Sequence, residues 1–332
     1  MASATTDSKF SLLNPFDSLY LDIEHQAGSI KQWAFENRAL FRPLREPLDW
    51  LISGIEGGLH SLPQLAVLAG FALIALQAAG WRTALLTVFL LTAMGLLSEN
   101  SWNMGMTTLT IVLVAVLICV LIGLPLGILA GKSDAAQSCL RPLLDTMQTI
   151  PAFVYLIPVV LLLGIGNVPG VVVTVVFALP PLVRLTSLGI RQVDPSVVEA
   201  MYSFGAKPHQ VLFKAQLPLA MPSIMAGLNQ TIMLALSMVV IASMISVKGF
   251  GNEVLRGIGR LDAGKAIIGG VGIVILAVLL DRISQGISYH KQGPLRRHRH
   301  KTASTLAKLA GHLAMTVKRI FIPHSNNKET LP

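Results

Sequence analysis

The sequence predicts an all-α, polytopic membrane helix bundle, and composition, apolar runs and the placement of basic residues carry that prediction. Hydrophobic residues make up 53% of the 332 positions and charged residues only 13%, whereas a soluble domain carries about a quarter charged residues. Spanning the hydrocarbon core takes about 20 mostly apolar residues in a helix. Seven apolar runs answer to that description, at 62–79, 83–97, 107–130, 151–163, 171–188, 221–245 and 266–280. The second and fourth are short, which leaves tilted, extended or partly re-entrant forms open for both.

Orientation follows from the basic residues. Arg82, Lys132, Arg141, Arg184, Arg191, Lys207 and Lys214 fall in alternate loops that share one side, and an excess of Lys and Arg marks the cytoplasm. Loops 98–106 and 164–170 contain neither residue, while the tail after the seventh run holds Lys291, Arg296, Arg297, Arg299 and Lys301. An N-terminus outside and a C-terminus in the cytoplasm are expected. One loop dissents: Lys248, Arg256, Arg260 and Lys265 would lie outside, offset only by Glu253 and Asp262. The net charge of +9 is thus a topology signal and gives no reason to expect a nucleic-acid partner; the cluster at 296–301, just past a span, reads as an anchor or a contact with anionic membrane lipids.

The order along the chain divides into a periplasmic N-terminal segment (1–61), two additional transmembrane helices (62–98), a five-span core (99–283) and a basic cytoplasmic tail (284–332). Residues 1–61 lack the basic region and short apolar core of a cleavable signal. Within them Leu19, Ile23, Ile30, Trp33, Ala34 and Phe41 have helical spacing, which fits an amphipathic surface helix or a solvated tail. Leu306, Leu309, Leu313, Val317 and Ile320, interleaved with Lys308, Lys318 and Arg319, fit a basic surface helix.

Sites of chemistry are not found. Gly131-Lys132-Ser133 invites comparison with a phosphate-binding loop, but the glycine required five residues earlier is Leu126, and Gly127 comes one residue too late. His25, His60, His209 and His290 lie in tails and loops, and Cys119 and Cys139 lack metal or redox spacing. No catalytic, cofactor-binding or metal-binding residue is assigned, and any ATP is expected to be hydrolysed on another chain. Gly123, Gly127 and Gly131 recur every fourth residue beside Pro125; such a stripe lets another helix approach closely, with a hinge as the alternative reading.

The informative loop is 190–219. Asp194 suits an N-cap, Pro195 the first helical position, Gly205 a left-handed C-terminal cap, and Pro208 the opening of a second helix. Val197, Val198, Met201 and Phe204 then form an apolar face on the first of two short helices. A folded helix pair on the cytoplasmic side is a docking surface.

This loop resembles the signature of binding-protein-dependent ABC importer permeases: Glu-Ala-Ala, three residues, Gly, nine residues, then Ile, any residue and Leu-Pro. The chain matches at Glu199, Ala200, Gly205, Leu217 and Pro218 and departs at Met201 and Ala215, both apolar. Stretches at 141–149, 151–155, 164–170, 177–181, 229–244 and 255–262 are similar to the glycine betaine/proline permeases within that group. The resemblance implies a type I ABC importer permease fold of about seven spans, working as a homodimer in a bacterial inner membrane, which makes the outer side the periplasm. It also implies a periplasmic substrate-binding protein and cytoplasmic ABC ATPase subunits carrying ATP and Mg as partners, with 190–219 as the ATPase-coupling loop.

Charge is nearly absent from the runs, and Arg184, Asp281 and Arg282 sit near their cytoplasmic ends, so proton coupling gains no support. Polar residues gather in the sixth run at Asn229, Gln230, Thr231, Ser237, Ser243 and Ser246. Asn229 and Ser237 are candidates for lining a pathway, with hydrogen bonding between helices as the competing role. The expected activity is uptake of glycine betaine, proline or a related quaternary ammonium solute. Another substrate, such as choline, carnitine or an amino-acid derivative, is the alternative, and a stand-alone secondary transporter is the rival mechanism.

Overall fold

The computed structural model describes residues 23–290, and these are helical with no strand among them. The chain opens with α1 (Ile23–Glu36), a single 3-10 turn (Arg38–Phe41) and α2 (Arg42–Ser61). A hairpin follows, α3 (Gln64–Ala79) and α4 (Trp81–Leu96). Then come α5 (Ser101–Lys132), α6 (Asp134–Thr149), the short α7 (Leu156–Leu163) and α8 (Asn167–Arg191). The remainder is α9 (Pro195–Ser203), α10 (Pro208–Val211), α11 (Leu217–Ala242), α12 (Phe250–Gly259) and α13 (Ala263–His290).

All seven apolar runs are helical, but they do not all cross alone. Four continuous helical stretches are long and apolar enough to span: Ser101–Lys132, Asn167–Arg191, Pro208–Ile245 and Ala263–Ile287. The second run is α4, of 16 residues, and the fourth is α7, of 8. At 1.5 Å per residue α7 is about 12 Å long, far short of the hydrocarbon core. It is joined to α6 through a 102° bend, and α3 is joined to α2 through one of 109°. Both bends fall where a residue precedes proline: Leu62 before Pro63, at ψ 140°, and Ile150 before Pro151, at ψ 129°. Proline disfavours the helical conformation of the residue before it, which favours a break at both places, although Pro125, Pro142 and Pro222 stay inside helices.

The core is built around α8, which packs along α5 on one side and α11 on the other. Gly123, Gly127 and Gly131 all face α8. A Cβ at Gly123 would lie 3.1 Å from Leu179 and Leu182, one at Gly127 2.6 Å from Thr186, and one at Gly131 3.0 Å from Ile190. Two glycines on other helices let α11 approach α8 from the far side: Gly189 sits against Ala220 and Ser223, and Gly227 against Leu182 and Leu185. Leu109, Val112, Ala115, Leu182, Val183, Leu236, Val239 and Phe250 fill the shared interior. The hairpin α3–α4 packs on α13, where Gly286 meets Ala79.

The N-terminal segment is not a solvated tail over its described part. Ala34 of α1 is buried while Trp33 is exposed, and Leu19 lies outside the described residues, as do the basic cluster at 296–301 and the apolar spacing at 306–320. The longer element is α2, whose Leu48, Ile52, Ile55 and Leu59 recur at helical spacing and pack on the core. Glu56 of α2 accepts a hydrogen bond from Thr107 Oγ1 of α5 at 2.8 Å. The dissenting loop with Lys248, Arg256, Arg260 and Lys265 folds into α12, turned back on α13 through Gly257, which abuts Ala266. Asp262 pairs there with Lys265 at 3.1 Å.

Candidate coupling surface and pathway

The chain leaves α8 through Arg191, whose Nε and a terminal nitrogen donate to the Ala130 carbonyl of α5 at 3.2 and 2.7 Å. Its other terminal nitrogen reaches Asp134 Oδ1 at 2.6 Å. Two turns earlier, Arg184 of α8 pairs with Asp145 of α6. These two arginines fasten α8 to α6 beside the start of α9, and no sequence pattern marks their partners, which lie 39 and 57 residues away.

Helix α9 starts as its sequence dictates. Asp194 Oδ1 accepts the Ser196 N–H at 2.9 Å and Pro195 takes the first helical position, satisfying a donor that the helix itself leaves without a partner. That N–H, and after it the Ser196 side chain, holds the Asp194 carboxyl below its usual range. At the far end Gly205 adopts φ +78°, its N–H bonds to the Tyr202 carbonyl at 2.9 Å, and that of Ala206 to the Met201 carbonyl at 3.0 Å. This is a left-handed glycine cap.

No residue of α9 is buried. Val197 and Tyr202 are exposed and Phe204, just past its end, is 91% exposed. Burying an aromatic side chain is worth roughly 1.5–3 kcal/mol, so this surface forgoes a stabilisation that none of the described residues supplies. The Glu199 carboxylate makes no ion pair among the described residues, and Ala200 beside it is exposed.

The second helix of the loop differs from expectation. Pro208 does open α10, with Gln210 accepting the Lys207 N–H at 2.9 Å, but α10 is no separate short helix. It runs through a π-helical turn at Leu212–Gln216 into α11, because Val211, Leu212 and Ala215 are buried and commit it to the bundle. The signature positions therefore divide. Glu199, Ala200 and Gly205 are exposed, as is Pro218 at the start of α11, whereas Leu217 packs on the buried cluster of Ile190, Ala220 and Ile224.

Along α11, Leu219, Pro222, Ala226, Gln230, Met233 and Ser237 are exposed at intervals of three and four residues, a continuous, uncharged face that the described residues leave uncovered. Ser237 lies on it, its hydroxyl donating to the Met233 carbonyl at 3.1 Å. Asn229 lies beside it, half-buried, with Oδ1 buried and without a hydrogen-bond partner among the described residues. Thr231 points the other way and donates to the Ala178 carbonyl of α8 at 3.0 Å, which is a bond between packed helices. Gly131-Lys132-Ser133 closes α5 and opens α6: Gly131 packs on Ile190 and Ser133 Oγ accepts the Ala136 N–H at 3.3 Å. Among the described residues no three His, Cys, Asp or Glu side chains gather as a metal-holding group.

Residues 123–288 match the family described as binding-protein-dependent transport system inner membrane component. This chain belongs to that family. It is 53% identical, over 84% of its length and 78% of the relative's, to the glycine betaine/proline betaine transport system permease protein of Escherichia coli (strain K12). It is 56% identical, over 56% of its length and 66% of the relative's, to the glycine betaine/carnitine transport permease protein of Listeria monocytogenes serotype 1/2a (strain 10403S). Among solved structures, the inward-facing MetNI methionine ABC transporter is similar in fold, with a TM-score of 0.52 at 20% identity over 56% of this chain and 94% of that one. The molecule is thus a multi-pass inner-membrane permease of an ABC importer with a type I permease fold. Its relatives are transport subunits, and a permease of this kind works with an ATPase and a substrate-binding protein.

Proposed function

We propose that this permease imports glycine betaine, proline betaine or a closely related zwitterionic quaternary ammonium solute. The observation that carries the reading is the 53% identity, maintained over 84% of the chain, to a permease named for those two substrates. The uncharged face of α11 suits such a solute, since a fixed charge would trap one end of a zwitterion in a low-dielectric path. In this proposal two copies meet across that face, and Ser237 and Asn229 line the route. The unpartnered Asn229 Oδ1 would be satisfied by passing water or solute.

Energy comes from Mg-ATP bound to the partner ATPase, which docks on α9 through Glu199, Ala200, Gly205 and the aromatic pair Tyr202 and Phe204. The end of the bundle that carries α9 faces the cytoplasm, and α2, the 98–100 loop and α12 face the periplasm. The division into 1–61, 62–98, 99–283 and 284–332 belongs to the same proposal. It is supported by the start of the family match at residue 123, which leaves α1 to α4 outside it.

The test is uptake of labelled glycine betaine by proteoliposomes holding the permease, its ATPase and its binding protein, with proline betaine, carnitine and choline as competitors. ATP-dependent uptake competed best by proline betaine is expected. Best competition by carnitine would favour the second reading, which rests on the relative from Listeria monocytogenes. Uptake driven by an ion gradient without the ATPase would overturn the proposal.

A further inference from the structure

Helix α7 has eight residues and ends at Leu163, so its final carbonyls need partners from elsewhere. Two come from far upstream in the chain. Arg38 donates to the carbonyls of Leu161 at 2.9 Å and Val160 at 3.4 Å, and Arg45 donates to that of Leu163 at 3.1 Å. The turn and the start of α2 thereby lie across the end of α7 and line with it a half-open cavity of about 380 Å³. Arg38, Arg42, Arg45, Phe41 and Leu162 wall it, and no carboxylate does.

Helix capping accounts for Arg38 and Arg45 but not for Arg42. Arg42 is exposed and lines the cavity, and its guanidinium makes no hydrogen bond or ion pair among the described residues. The same stretch of chain exposes Leu40 and Leu44, at 70% and 51%, and Trp50 on α2, at 78%. Because α2 meets α3 at 109°, it lies across the bundle end when α3 stands along the membrane normal. Trp at that level marks the boundary between headgroups and acyl chains.

We infer that this cavity binds the phosphodiester headgroup of an anionic phospholipid. Arg42 faces the phosphate, Arg38 and Arg45 add positive potential while holding α7, and Leu40, Leu44 and Trp50 rest on the acyl region. Guanidinium groups suit phosphate oxygens through paired donors. A soluble anion would have the same charge but no use for the exposed apolar side chains, which is the reason for choosing a lipid. The site requires only that the bundle lie in a bilayer; it depends neither on which end is cytoplasmic nor on the transported solute.

The experiment uses the full-length permease in detergent micelles with equal phosphatidylglycerol and phosphatidylcholine, retained lipid being read by native mass spectrometry. Wild-type protein is expected to prefer phosphatidylglycerol, and Arg42→Gln to weaken that preference about five-fold, the effect of one basic contact. Arg42→Lys should keep most of it. The Arg42 difference separates this cavity from basic residues elsewhere, and an unchanged melting temperature of Arg42→Gln shows that the cap on α7 survives. Equal retention of both lipids by the wild type, or equal preference in wild type and Arg42→Gln, would overturn the assignment. Displacement of phosphatidylglycerol by millimolar inorganic phosphate would overturn the lipid as its occupant.

Discussion

Arg191 and Asp134 are joined at 2.6 Å between the last turn of α8 and the first of α6, and the same guanidinium bonds to the Ala130 carbonyl of α5. Three helix ends thus converge on one side chain, three residues before the cap that starts α9. The Asp134 carboxylate is 90% exposed, and exposed ion pairs contribute about 0–1 kcal/mol. Hydrogen bonds from a charged group to a partly buried carbonyl contribute about 1.5–3 kcal/mol. Arg191→Ala should therefore lower the melting temperature of the purified permease more than Asp134→Ala does, and should also reduce co-purification of the ATPase. Equal effects of the two substitutions would mean that the carbonyl bonds contribute nothing.

Gly205 offers a cleaner test of the docking surface. A Cβ there would meet nothing within 4 Å, so the only obstacle is backbone conformation at φ +78°. A side chain in the left-handed region costs roughly 1–2 kcal/mol, too little to unfold the bundle and enough to redirect the chain towards Pro208. Gly205→Val should reach the membrane in normal amounts and lose uptake, whereas Gly205→Asn should retain it, since asparagine tolerates this conformation. Glu199→Ala should be milder than Gly205→Val. Expression, ATPase co-purification and betaine uptake measured on the same membranes decide the matter, and wild-type uptake by Gly205→Val would remove α9 from coupling.

The glycine stripe predicts a graded series. A Cβ at Gly127 would approach the Thr186 Cβ to 2.6 Å and the Val183 carbonyl oxygen to 3.0 Å, both held by backbone, whereas one at Gly123 meets only the ends of Leu179 and Leu182. Overpacking costs about 1–3 kcal/mol when neighbours cannot move. Gly127→Ala should lower thermal stability and accumulation clearly, Gly131→Ala less, and Gly123→Ala least. A flat series in melting temperature would show that α5 and α8 separate freely.

Labelling addresses orientation. In right-side-out vesicles of a chain lacking Cys139, an impermeant maleimide should modify a cysteine placed at Glu99 and not one placed at Phe204. Both positions are exposed and lie outside the long spans, so access is set by sidedness. The reverse pattern would invert the proposed topology.

Much of this molecule was legible because the signals are local. Apolar run length placed the four long spans α5, α8, α11 and α13, and caps made within four residues placed α9: Asp194, Pro195 and Gly205 do in the structure what their chemistry requires of a helix start and stop. The same locality explains where reading failed. Nothing within α10 shows that it continues into α11, since that follows from Val211, Leu212 and Ala215 meeting other helices. Helix α2 was obscured by its charges, its apolar positions being visible only at the spacing of Leu48, Ile52, Ile55 and Leu59.

The sequence by itself determined an all-helical membrane protein, the α9 turn and the scarcity of charge in the long spans. Each follows from hydrophobicity summed over a helix or from sterics between adjacent residues. Only the tertiary structure decided that α8 is the central helix, that Arg191 gathers three helix ends, and that Arg38 caps a helix 123 residues away. Such contacts have no period and no fixed spacing. They exist because burial of apolar faces brings distant segments together, and the polar groups left at the helix ends then bond to whatever donors that packing has placed within reach.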